Sequence, residues 1–126
     1  MIELDGEPGA FDYAGLDRLF HEKARLAIVT SLAAHAGGLV FSELKSLCQL
    51  TDGNLNRHLQ VLEEAGCITV KKDMRAKRPT TRCRLTNHGR ARFLEYLSAL
   101  EQVLLKATRA ASSVDASVRM RPNGQR

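Results

Sequence analysis

Residues 51–66 read TDGNLNRHLQVLEEAG, and the reading of this stretch decides the fold. Leu55, Leu59 and Leu62 recur at i, i+4 and i+7, so they share one face of a helix, and that face must be buried. Thr51 or Asp52 stands where an N-cap belongs, with a side-chain oxygen able to accept from an orphan N–H of the first turn. Gly66 stands where a left-handed residue ends a helix. Off the apolar face lie Asn54, Asn56, Arg57 and Gln60, with Thr51 at the leading end. A solvated helix face more often carries Glu and Lys. Amides and a guanidinium are groups that read base edges, Asn and Gln against adenine and Arg against guanine. These five residues are the expected recognition set.

Beyond Gly66 the period of the pattern changes from 3.6 to 2. In CITVKKDM (67–74), Ile68 and Val70 alternate with Cys67, Thr69 and Lys71; in TTRCRLT (80–86), Cys83 and Leu85 alternate with Arg82 and Arg84. Pro79 between them suits a loop and not a strand interior. The segment is therefore a hairpin with a basic tip. Lys72, Arg75, Lys77, Arg78 and Arg82 are its expected contacts to a polyanion, because such mutual repulsion is costly without one.

Upstream, a helical stripe runs from about Leu16 to His35 and stops at Gly37-Gly38. Leu39-Val40-Phe41 suits a brief edge strand, and Ser42 is the expected cap of SELKSLCQ, with Leu44 and Leu47 inward. This short helix and the one after it form a helix-turn-helix. Downstream, Thr86 is the expected cap of a long helix. Along it Phe93, Leu97, Leu100, Leu104 and Ala107 make a heptad seam. A chain this small cannot easily bury so wide a face, so Phe93, Leu97, Leu100 and Leu104 are the expected interface of a homodimer. The expected organisation is a flexible arm over 1–14, one domain over 15–108 and a disordered basic tail over 109–126.

Charge supports the same division of labour. Residues 57–92 hold ten Lys or Arg against Glu63, Glu64 and Asp73, net +7, whereas residues 1–56 are net −4. The positive block suits a phosphate backbone. At 126 residues, 44% hydrophobic, the chain is about one domain. No apolar run approaches the roughly 20 residues of a membrane span and no basic leader opens the sequence, so the expectation is a cytoplasmic protein with no membrane partner. Three cysteines without a close pair support neither a disulfide framework nor a metal knuckle. No two of the four histidines have the i, i+4 spacing of helical metal ligands. A phosphate loop, a nucleophile elbow and an activated serine are likewise missing, so no enzyme, metal or cofactor is expected.

Four stretches carry a family likeness: HEKARLAIVTSL (21–32), FSELKSL (41–47), GNLNRHLQVLEEAGCITV (53–70) and RPTTRCRLTNHGR (78–90). They resemble the small winged-helix transcriptional regulators related to the MarR and ArsR groups. The resemblance implies a mainly α fold with a small β-hairpin: a winged helix-turn-helix with a long C-terminal dimerisation helix. It also implies a dimeric, sequence-specific binder of double-stranded DNA, with helix 52–65 in the major groove and wing 71–82 on the backbone or minor groove. Carried over by position, Asn54, Asn56 and Arg57 would face the groove, and Arg75, Lys77 and Arg78 would be wing contacts. Two departures stand out. Lys23 stands where relatives often have Pro, and the paired-cysteine box of metal-sensing ArsR proteins is missing around Cys48. No effector is named by the sequence; the crevice between the first and last helices is the expected place for one. The alternative is a winged-helix assembly module binding an acidic protein. Structured RNA is disfavoured, because a helix cannot enter its narrow major groove.

Overall fold

The computed structural model describes residues 13, 15–74 and 77–119. The order of elements is α1 (Lys23–Ala33), β1 (Leu39–Val40), α2 (Phe41–Cys48), α3 (Asp52–Glu64), β2 (Ile68–Asp73), β3 (Thr80–Leu85) and α4 (Asn87–Arg119). This is a winged helix, mainly α, with a three-stranded antiparallel sheet in the order β1-β3-β2. Two compact units divide the chain: Asp17–Tyr96, and Leu97 onward together with the residues up to Leu16. The boundary between them falls inside α4.

In the first unit, Phe20, Ile28, Leu32, Leu44, Leu55, Leu62, Phe93 and Tyr96 form the buried core. Phe20 sets its ring edge-on to Phe93 at 5.3 Å, a favoured arrangement of aromatic quadrupoles. α1 begins at Lys23 and not at Leu16, because Asp17 competes for the backbone ahead of it. The Asp17 carboxylate accepts from Leu19 N at 3.1 Å and is held by Arg92 at 2.6 Å. Glu22 then caps α1, its side chain accepting from Arg25 N at 2.7 Å.

α2 also starts differently from the expectation. β1 runs straight into the helix, so Ser42 lies inside the first turn and the Glu43 carboxylate takes the Val40 N–H at 2.9 Å. Leu44 is buried, but Leu47 is 58% exposed, since a helix of two turns packs along one narrow stripe. α3 is capped by Thr51, whose hydroxyl accepts from Asn54 N at 3.2 Å, and Gly66 follows with φ +75°.

β2 and β3 pair in register from Ile68↔Leu85 to Asp73↔Thr80, and β1 adds Leu39↔Cys83 and Val40↔Arg82. Thr86 joins hairpin to helix. Its N–H donates to Cys67 O at 2.9 Å, its hydroxyl to Gly66 O at 2.7 Å, and the same oxygen caps Gly89 N at 2.9 Å. α4 continues to Arg119, past the Arg109 where composition alone places the start of a disordered tail. Extending an existing helix through Ala110 and Ala111 needs no core, since the nucleation cost is already met. The arm over 1–14, Tyr13 apart, and residues 120–126 of the tail lie outside the described residues.

Candidate nucleic-acid interface

α3 is two-faced. Leu55, His58, Leu59 and Leu62 are buried, while Thr51, Asn54, Asn56, Arg57 and Gln60 are all exposed. The expected recognition set is thus brought together on one outward surface. A polar pin adds to the leucines in fixing the helix. His58 is 5% exposed, and its Nδ1 lies 3.2 Å from Arg25 Nη1. A guanidinium only donates, so that nitrogen is the acceptor and the proton of the neutral ring sits on Nε2. Burial pushes the His58 imidazole below its usual pKa, and the Arg57 and Arg25 charges add to this against the pull of Glu22. Arg25 is itself anchored by donating from Nε to Leu19 O at 2.7 Å.

Along the outward face, Arg57 Nη2 donates to Asn54 Oδ1 at 3.2 Å. Asp52, the acidic group at the head of α3, is taken by Lys45 at 2.8 Å. Between α1, the α2–α3 turn and α3 lies a cleft of about 420 Å³, rimmed by Lys23, Gln49, Asn54 and Arg57.

The hairpin divides its cations in two. Lys72, Lys77 and Arg78 are exposed, and Lys71 joins them. Arg82 is engaged within the protein instead. Its Nε donates to Asp73 Oδ2 at 2.7 Å and its Nη1 lies 3.3 Å from the carbonyl oxygens of both Gly37 and Gly38. Arg84 Nε donates to Gly37 O at 3.0 Å. The Gly37–Gly38 turn is thereby clipped to β3. Gly38 has φ +84°, and a Cβ there would stand 2.4 Å from Cys83 O. Sequence reasoning places Arg82 among the outward contacts and does not see the clip, although Asp73, a lone acid among cations, is its signal. Arg75 lies outside the described residues.

Phe93 also departs from its expected place. It is 5% exposed and packs on Phe20 in the core of the Asp17–Tyr96 unit, which removes it from any outward seam. In the other unit, Leu104 is 57% exposed, Leu97 and Leu105 are exposed, and Leu100 is half-buried. Tyr13, Leu16, Ala99 and Val103 there line a cavity of about 180 Å³.

The thiols sit where burial disfavours the thiolate. Burial raises the pKa of Cys48 and Cys67 and pushes Cys83 up to about 11. Among the described residues no three His, Cys, Asp or Glu are grouped to hold a metal ion. None of the described helices is long and apolar enough to cross a membrane.

Comparison with known proteins agrees with this geometry. A family model described as a winged helix DNA-binding domain matches residues 24–104. An uncharacterized protein of Methanocaldococcus jannaschii is 36% identical over 89 residues, 68% of this chain and 92% of that one. The structure of a transcriptional regulator homologue from Pyrococcus horikoshii, 31% identical, superposes with a TM-score of 0.65 over 70% of this chain and 86% of that chain. A MarR-family transcriptional regulator from Silicibacter pomeroyi shares the fold at 19% identity, with a TM-score of 0.54 over 83% of this chain and 76% of that one.

Proposed function

This chain belongs to the winged helix DNA-binding domain family, and from that premise we propose that it is a sequence-specific regulator of transcription. α3 enters the major groove of duplex DNA, and the β2–β3 wing follows the backbone or the adjacent minor groove. The observation that carries the reading is the outward face of α3. Asn54, Asn56, Arg57 and Gln60 are exposed on a helix whose other face is locked into the core. An acidic protein partner would need cations there, not amides that match base edges. Lys72, Lys77 and Arg78 then serve as phosphate contacts. The regulator works as a two-fold dimer joined through α4, whose Leu97, Leu104 and Leu105 are exposed apolar groups that a second copy would cover.

Titration with random duplex DNA at two salt concentrations tests the reading. Log affinity falls by about 0.9 per neutralised phosphate for each log unit of salt, so binding weakens steeply. A flat response, or no binding to any duplex at low salt, sinks the DNA reading in favour of an acidic protein partner. Selection of bound duplexes from a random pool then yields the preferred site. On that site Arg57→Ala costs about 1–3 kcal/mol and relaxes preference at one or two base pairs.

A further inference from the structure

By residue type the amide of Asn54 is a base reader in its own right, but its carbonyl oxygen is already occupied. Arg57 Nη2 lies 3.2 Å from Asn54 Oδ1. Because the guanidinium has no acceptor, the oxygen and not the nitrogen of the amide must face it. The backbone under Asn54 is fixed in turn, its N–H bonded to the Thr51 hydroxyl at 3.2 Å. Thr51, Asn54 and Arg57 are spaced by three and run along one exposed face as a ladder.

The surroundings of Arg57 make the tether distinctive. Its neighbours at three and four residues are Gly53, Asn54, Gln60 and Val61, none of them acidic. Asp52, the acid that begins the helix, is held by Lys45 at 2.8 Å. A carboxylate beside Arg57 would orient the guanidinium but also cancel its charge and compete with a base for both donor edges. A neutral amide oxygen orients through one nitrogen and leaves the charge, and the remaining donors, for the partner. Preorganisation of this kind lowers the side-chain entropy lost on binding.

We propose that Asn54 is a positioning residue for Arg57, acting through the Asn54–Arg57 hydrogen bond to aim the guanidinium at one guanine. The inference rests on the reading of α3 as a major-groove helix. It predicts that Asn54 has no base pair of its own.

The test compares base preference, by duplex selection and competition, for the unaltered protein, Arg57→Ala, Asn54→Ala, Asn54→Asp and the Asn54→Ala/Arg57→Ala double variant. Asn54→Ala should relax preference at the same base pair as Arg57→Ala, by about two-fold, the scale of an exposed hydrogen bond at this spacing. The double variant should be no worse than Arg57→Ala alone. Asn54→Asp replaces the neutral tether with a carboxylate that competes for the Arg57 donor edges, so it too should relax preference at that base pair, and its added charge should weaken binding to every duplex. Relaxation at a different base pair, or losses that add in the double variant, would overturn the inference and make Asn54 an independent reader. The inference is equally overturned if Asn54→Asp leaves the guanine position unchanged. If the unaltered protein selects no duplex at all, the reading of α3 falls and takes this inference with it. That outcome is distinct from one in which selection works and the positions do not coincide.

Discussion

Neutralising an acid in a DNA-binding wing should tighten its grip; here the structure predicts the opposite. Asp73 stands on β2 with its side chain only 9% exposed, and Arg82 Nε donates to it at 2.7 Å. From the same guanidinium, Nη1 reaches the Gly37 and Gly38 carbonyl oxygens at 3.3 Å. Asp73→Asn therefore takes the charge from one anchor of a side chain that ties β2, β3 and the α1–β1 turn together. Arg82 keeps a quarter of its side chain exposed, so the loss is well below that of a fully buried pair. One charge-assisted hydrogen bond, discounted for solvent, is worth about 1–2 kcal/mol. For a unit of this size that lowers the thermal midpoint by about 4–8 °C per kcal/mol. The competing effect is smaller. A carboxylate one screening length, about 10 Å, from a phosphate contributes ~0.4 kcal/mol of repulsion in water. The geometric loss should win, giving weaker duplex binding by several-fold. Arg82→Ala, which also gives up the Gly37 and Gly38 carbonyls, should cost at least as much, and the double variant should lose less than the sum of the two because they share the Asp73–Arg82 linkage. Thermal melts and fluorescence anisotropy with a labelled duplex measure both quantities. An Asp73→Asn protein that melts unchanged and binds DNA more tightly would refute the clip and return Arg82 to the role of a phosphate contact.

Gly89→Ala should destabilise by about 1–3 kcal/mol, because the new Cβ would stand 2.1 Å from the Cys67 carbonyl oxygen and neither backbone can yield freely. Gly53→Ala is its control: among the described residues, nothing beyond the helix's own backbone and chain neighbours comes within 4 Å of the new Cβ, and Ala in a helix should raise the midpoint slightly in the same denaturation assay. Leu104→Glu places a charge among the exposed leucines of α4 and should convert a dimer to monomer in sedimentation velocity; a monomeric parent protein at micromolar concentration would end the dimer proposal. Stability should also decline with acid. Since the folded pKa of His58 lies below the unfolded value of about 6.5, its contribution is complete above that pH and is lost as pH falls through the depressed folded value. His58→Gln should flatten melting midpoints between about pH 7 and pH 5, and an unchanged slope would assign the acid sensitivity to other groups.

What was legible in the sequence was whatever a single element dictates by itself. The leucine spacing of α3 gave its buried face, and the same spacing left Asn54, Asn56, Arg57 and Gln60 outward, where they are. Thr86 could be read as a cap because capping is a matter of three residues, and it is bonded to Gly89 N. Failures came where a distant residue decided a local question. Asp17 halts the helical pattern over 16–22 with the help of Arg92, which is 75 residues away. Glu43 displaced Ser42 as the group serving the start of α2, because β1 enters the helix without a turn. Phe93 has the correct heptad phase for a seam, yet Phe20 reaches it first and makes it core. Periodicity states that a face is buried; it cannot say against what.

The same limit governs the charges, and it bears on how the wing would hold DNA. A count of cations between residues 71 and 84 treats each as available, but availability depends on acceptors that the count does not see. Gly37 and Gly38 supply such acceptors because a turn with a left-handed glycine points its carbonyl oxygens outward, beside β3. Arg82 and Arg84 fill them, with Asp73 completing the set. A lysine there could supply charge but not a planar fork able to reach a carboxylate and two carbonyls together. That geometry favours arginine at 82 as the shaping group. On the proposed reading, the exposed Lys71, Lys72 and Lys77 would make the contacts whose position matters less. The wing thus separates shape from charge, and α3 repeats the division on its outward face, with a neutral amide tethering Arg57 and no carboxylate at helical contact spacing from it.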